Sequence, residues 1–188
     1  GKRIAFTTGN IYTIRPDGFD PRQITEFGDS FFPRWSPDGR TITFSRSGTR
    51  KEAGIWFAHL SDSTFTKFGF GAAPADWSPT GERLVYDKTQ IFTADTSRTD
   101  SIRLTNNDYV DNRYPAWSPD GEWIAWAPST GDGFALSVMR VDGSNKKRLV
   151  DPPASHPSWA PDSEHLGFIK PDPETGRTAL WTIRRDGS

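Results

Sequence analysis

Cysteine is missing from all 188 residues, which removes disulfide frameworks, thiolate metal clusters and thiol nucleophiles from consideration. Histidine is scarce, at three residues, so imidazole catalysis would have few groups to draw on. Neither sign of charge dominates: 23 basic side chains stand against 24 acidic ones. Nothing forms the basic stripe that phosphate backbones attract, so nucleic acid is not an expected partner. No apolar run approaches the ~20 residues of a membrane-spanning helix. Apolar residues at three-to-four spacing, the mark of amphipathic helices, are also lacking. What the chain does have is seventeen glycines, fifteen prolines and eight tryptophans against only 34% hydrophobic residues. Frequent turns with large aromatic anchors point to many short strands.

One motif recurs four times, as Phe32-Pro33-Arg34-Trp35-Ser36-Pro37-Asp38-Gly39, Ala75-Asp76-Trp77-Ser78-Pro79-Thr80-Gly81, Tyr114-Pro115-Ala116-Trp117-Ser118-Pro119-Asp120-Gly121 and His156-Pro157-Ser158-Trp159-Ala160-Pro161-Asp162-Ser163. Its tryptophans are 42, 40 and 42 residues apart. After each turn comes a short alternating segment, Thr41 to Phe44, Arg83 to Tyr86, Trp123 to Trp126 and His165 to Phe168, which reads as a half-buried strand. A further strand follows at Gly54 to Phe57, Gln90 to Thr93, Leu136 to Met139 and Leu180 to Ile183. The outermost segment is short and closes on Thr or Val at Gln23-Ile24-Thr25, Arg103-Leu104-Thr105 and Arg148-Leu149-Val150. Each unit is therefore four antiparallel strands, A to D outward from the tryptophan strand, with the Ser-Pro-Asp-Gly turn joining A to B. Four-stranded units at this period predict an all-β chain, a β-propeller of stacked blades around a channel.

Gly1 to Phe6 read as a B strand, and the chain ends after a C strand, giving about four and a half to five blades. The pieces are expected at 1–26, 27–70, 71–106, 107–151 and 152–188, one propeller domain or fragment over 1–188. Overlap of the end pieces in B and C leaves two arrangements. The chain is either part of a larger ring of six or more blades or a five-bladed ring with two imperfect ones. An incomplete ring would also favour self-association.

Pro-x-Trp-Ser-Pro-Asp-Gly, an Ile-Ala-Phe-like strand, an Ile-Tyr-x-Ile strand at Ile11 to Ile14 and a Leu-Thr ending resemble the WD40-like (PD40) repeat of TolB-type propellers. The departures are Ala75 for the motif proline, and Ala160 and Ser163 for its Ser and Gly. The resemblance implies a non-catalytic scaffold, without cofactor, that binds proteins in the bacterial periplasm or another extracytoplasmic compartment. The same repeat forms the gating propeller of prolyl-oligopeptidase-like serine peptidases and occurs in propeller polysaccharide lyases. Fold alone does not choose among these.

No nucleophile elbow and no His-Glu-x-x-His occurs. Gly69-Phe70-Gly71-Ala72-Ala73-Pro74 is a partial glycine fingerprint that reads as a loop. The repeated tryptophans are expected between blades, each burying roughly 150–250 Å². Residues that differ between repeats are freer to serve function. The D-to-A connections, read as Phe27 to Phe32, Asp108 to Tyr114 and Pro152 to His156, are expected at one rim beside the channel mouth. Asp29, Phe31, Asp111, Arg113, Tyr114 and His156 are the binding candidates there, since Tyr and Arg are favoured at hot spots. A loop that satisfies its own backbone is the plain alternative. His156 could serve a lyase as catalytic or metal group, or simply be solvated. Arg34 and Asp76, between motif Pro and Trp, are expected either to pair across adjacent blades or to reach a ligand in the channel. The B-to-C loops, Arg46 to Ala53, Pro128 to Gly133 and Pro171 to Thr178, are placed at the opposite rim. Asp132, Asp172 and Glu174 lack the spacing of a calcium loop, and no metal site is expected.

Overall fold

The structure, a computed structural model, describes residues 2–69, 74–107 and 110–188. Those residues contain strands and turns but no helix. The strands form five antiparallel sheets in chain order. The first holds β1 (Ile4–Thr7), β2 (Ile11–Ile14) and β3 (Arg22–Gln23). The second holds β4 (Ser30–Trp35), β5 (Thr41–Arg46), β6 (Gly54–His59) and β7 (Thr64–Gly69), and the third β8 (Ala75–Trp77), β9 (Arg83–Lys88), β10 (Gln90–Asp95) and β11 (Ser101–Arg103). The fourth comprises β12 (Asn112–Trp117), β13 (Trp123–Thr130), β14 (Gly133–Phe134), β15 (Leu136–Arg140) and β16 (Lys147–Val150). In it, β14 pairs only with the far end of β13. The fifth is β17 (Ser155–Trp159), β18 (His165–Pro171) and β19 (Thr178–Arg184). The inner strands β4, β8, β12 and β17 follow one another side by side. This is an all-β propeller of five blades. Among the described residues its three-stranded end sheets are separate, with no ladder joining them.

The turn chemistry explains the motif. Ser36 Oγ donates to Asp38 Oδ1 (2.6 Å) and accepts from Thr41 N (2.9 Å), while Asp38 Oδ1 accepts from Arg40 N (3.0 Å). Gly39 takes φ +69°, a conformation that carries a steric cost for residues with a Cβ. The same bonds recur at Ser118, Asp120 and Trp123. Where Ser163 replaces the glycine it adopts φ +58°, and its Oγ accepts from Asp120 N of the preceding blade (2.9 Å). That cross-blade bond offsets the strain.

The Leu-Thr ending has a different role from a strand. The D ladders stop at Gln23 and Arg103, short of the expected Thr25 and Thr105. Beyond them a side chain completes the sheet: Thr25 Oγ1 accepts from Ile11 N and Thr105 Oγ1 from Ile91 N, both at 2.9 Å and buried. The hydroxyl stands where a ladder carbonyl would, so the strand C amide stays satisfied.

The core lies between blades. Ile11 meets Ile42, Phe44 and Ala58 at the first seam, with Trp35 against them. Ile55, Phe57 and Phe68 meet Ala75, Leu84 and Tyr86 at the second, beside Trp77. Val85, Ile91 and Leu104 meet Ile124, Trp126 and Met139 at the third, with Trp117. Leu166 reaches Ala125 and Val138 at the fourth, with Trp159. Ile42, Leu84, Ile124 and Leu166, each second in its B strand, are wholly buried, and each such burial contributes roughly 1.5–3 kcal/mol. Turn packing repeats too: Pro37 lies against Gly81 and Pro79 against Gly121.

The structure corrects the rim assignment. B-to-C loops lie beside the D-to-A connections, not opposite them: Ser47 N donates to Asp29 O (3.2 Å), Ser129 N to Asp111 O (2.7 Å) and Ala154 N to Phe134 O (2.6 Å). The reason is strand parity. Each strand reverses direction, so the ends of B and D finish on the same side.

Candidate functional site

Much of what reads as connection in the sequence is inner strand. Ser30 to Phe32, Asn112 to Tyr114 and Ser155-His156 open β4, β12 and β17. Asp108 and Tyr109 lie outside the described residues, as do positions 70–73 of the partial glycine fingerprint. In each of these three strands the register shifts before the tryptophan, between Phe31 and Arg34, Arg113 and Ala116, and Ser155 and Ser158. At each bulge a bulky residue adopts left-handed backbone, Phe32, Tyr114 and His156, all at φ +54°. Such a conformation costs of order 1–3 kcal/mol per residue and is often found at ligand clamps.

Asp29 is tied into the scaffold. Asp29 Oδ1 accepts from Arg46 Nε (2.9 Å), whose side chain is 8% exposed and whose guanidinium lies 4.0 Å over Phe27. Phe31 is half-buried and paired with Ser45. Asp111 Oδ2 accepts from Arg113 Nη2 (2.9 Å), and its amide donates to Ser129 Oγ (2.9 Å). Tyr114 stacks on His156 with ring centroids 3.9 Å apart and meets Phe134 edge-on at 6.0 Å. His156 is exposed, with Nδ1 2.9 Å from Ser155 Oγ. Desolvation, and then the positive charge of Arg34, hold its imidazole below the ordinary value. Arg34 Nε stands 3.9 Å from Asp76 Oδ1, a loose cross-blade pair that leaves the guanidinium half exposed. Asp76 Oδ2 accepts from Trp117 N of the next blade (2.9 Å), and desolvation raises its carboxyl.

Asp87 is the residue the sequence reading missed. Its side chain, on β9, is fully buried. Oδ2 accepts from Tyr114 N (3.0 Å), and Oδ1 lies 3.5 Å from Arg113 Nη1 without a hydrogen bond of its own. Burial pushes its pKa up to about 6. Sister B strands place Ser45, Ala127 and Ile169 at this position, so the blade does not require a carboxylate there. That difference between repeats was the available signal. Asp87 and Asp76, both in the third blade, thus grip β12 at its bulge residue Tyr114 and at Trp117 just beyond it.

Among the described residues no group of three or more His, Cys, Asp or Glu side chains is placed to hold a metal ion, and no helix is long and apolar enough to cross a membrane.

Comparison with known proteins gives a consistent picture. An uncharacterized protein of Agrobacterium fabrum is 24% identical over 190 residues, covering 89% of this chain and 64% of its own length. The uncharacterized peptidase YuxL of Bacillus subtilis is 30% identical over 103 residues, 48% of this chain and 16% of the peptidase. The crystal structure of TolB from Acinetobacter baumannii superposes with a TM-score of 0.82 at 17% identity, covering 98% of this chain and 50% of that one. This chain therefore spans less than two thirds of these relatives. Residues 6–163 match the TolB beta propeller domain model, PD40. The chain belongs to the TolB beta propeller domain family.

Proposed function

We propose that this propeller is a non-catalytic scaffold of an extracytoplasmic compartment, the periplasm on the family's pattern, which binds a protein or peptide partner at the rim shared by the D-to-A and B-to-C connections. The observation that supports this is the preset geometry of the bulges. Phe32, Tyr114 and His156 are held in a costly backbone conformation within the first residues of inner strands β4, β12 and β17. Tyr114 is fixed further by Asp87 and by its stack on His156. Side chains already fixed lose little freedom on association, where each freshly immobilised one costs about 0.5–1.5 kcal/mol. The test uses a Phe32→Ala, His156→Ala double variant, both positions being exposed. Immobilised wild type retains a partner from an envelope extract that the variant, with an unchanged melting temperature, does not retain. Equal recovery by both removes this surface.

The match to a peptidase supports a second reading, the gating propeller of a serine hydrolase. It requires a hydrolase domain with its own Ser-Asp-His set in the same native reading frame, and a frame without one ends it.

A further inference from the structure

Strand register places one residue of every C strand at an equivalent point. Ile11, Ile55, Ile91, Leu136 and Leu180 each precede the residue that pairs with the aromatic of the neighbouring B strand. The first four are at most 1% exposed, whereas Leu180 is 78% exposed. The buried four serve the seam with the next blade. Ile11 clusters there with Ile42 and Phe44, Ile55 with Leu84 and Tyr86, Ile91 with Ile124 and Trp126, and Leu136 with Phe168. Leu180 lies instead over its own sheet, its Cδ1 3.8 Å from where a Cβ on Gly167 would stand. The first blade shows the converse. Ile4 pairs with Ile14 as Ile42, Leu84, Ile124 and Leu166 pair in their own blades. Those four are wholly buried, yet Ile4 is 52% exposed. Phe6, the first blade's counterpart of Phe44, stacks on Tyr12 and is only half-buried. One chain thus carries an unfilled aliphatic knob on its fifth blade and an unfilled receiver for such a knob on its first.

We propose that copies of this chain associate front to back, the fifth blade of one seating Leu180 on Ile4 and Phe6 of the next. The occupant of each face is a second copy because the contact continues a seam that the chain already makes four times. Every copy that presents the knob also brings the receiver. Their small net charge of −1 leaves little mutual repulsion to oppose the approach. Such a contact joins unlike surfaces, and it does not involve the rim residues proposed for partner binding.

Sedimentation velocity of the whole chain reads the association directly. Protein interfaces of ordinary size reach micromolar or tighter affinity, so the weight-average mass should rise above the monomer between about 1 and 100 μM. Leu180→Glu and Ile4→Glu each put a charge on one exposed face, so each keeps the melting temperature of dilute wild type. Each weakens association by roughly tenfold or more, because the contact would bury an unpaired carboxylate. An equimolar mixture of the two variants regains one intact contact, Leu180 of one on Ile4 of the other. It forms a dimer with one copy of each and nothing larger. A wild type that stays monomeric throughout overturns the proposal and leaves both faces to other partners. So does association that either variant leaves unchanged, or a mixture that stays monomeric, which would mean that like faces meet. Should a Glu variant melt lower, Leu180→Ser and Ile4→Ser take its place under the same criteria.

Discussion

Asp87 offers the sharpest test of the electrostatics. Its carboxyl is raised from 3.8 to about 6 by burial, against the opposing pull of the Tyr114 amide and Arg113. The unfolded chain gives up this proton near pH 4, whereas the folded protein holds it until about pH 6. Between those values the native state binds more protons, so this group's contribution to stability is full below pH 4, declines as pH rises, and is lost above about pH 6. Two pH units at 1.36 kcal/mol each give a loss of roughly 3 kcal/mol. Asp87→Asn keeps an oxygen for Tyr114 N but cannot ionise. Urea unfolding followed by tryptophan fluorescence at pH 4, 5, 6 and 7 therefore compares the two proteins at each pH. The exposed turn carboxylates Asp38, Asp142 and Asp162, whose pKa values are lowered by their own turn amides and hydroxyls, are common to both and cancel in the difference. Wild type should lose roughly 3 kcal/mol relative to the variant between pH 4 and 7. A constant difference, or one moving in favour of wild type as pH rises, refutes the account of a buried carboxylate carried at a cost.

Other predictions concern the scaffold. Thr105→Val keeps the shape but removes the oxygen that accepts from Ile91 N, so the buried amide is orphaned and denaturant unfolding should show a loss of about 1–3 kcal/mol. Trp159→Phe deletes a bond from Nε1 to Ala116 O (3.1 Å) of the neighbouring blade, whereas Trp35 Nε1 is buried with no partner; chemical denaturation should place Trp159→Phe about 1 kcal/mol below Trp35→Phe. Gly54→Ala puts a Cβ 1.9 Å from Gly69 O at φ +149° and should lower the melting temperature with a cost of at least about 2 kcal/mol.

The architecture was legible because its determinants are local and repeated. A Ser-Pro-Asp-Gly turn closes on its own hydroxyl and carboxylate, and Ile42, Leu84, Ile124 and Leu166 mark the buried face by alternation alone. Thr25 and Thr105 were read as strand ends when they cap from the side chain, since a Thr in a β-rich segment looks the same in either role. The rim was less legible. Left-handed backbone at Phe32, Tyr114 and His156 runs against the usual preferences of bulky residues, so no propensity announces it. Asp29 looked free because its partner Arg46 is 17 residues away. The clamp of Asp87 on Tyr114 spans 27 residues and two blades, a pairing that only the assembled seam reveals.

The seams are made from unlike surfaces. Each repeated tryptophan ring packs at the seam with the preceding blade, and at one seam Asp76, the residue before Trp77, reaches forward to the next. Blades therefore join head to tail, and such contacts can be extended without limit until curvature closes a circle. An extra unit copied in the same direction meets ready-made neighbours on both sides, whereas an inverted unit meets none. Growth by duplication is thus built into the joint itself, and a ring of this type can change its number of members without inventing a new contact.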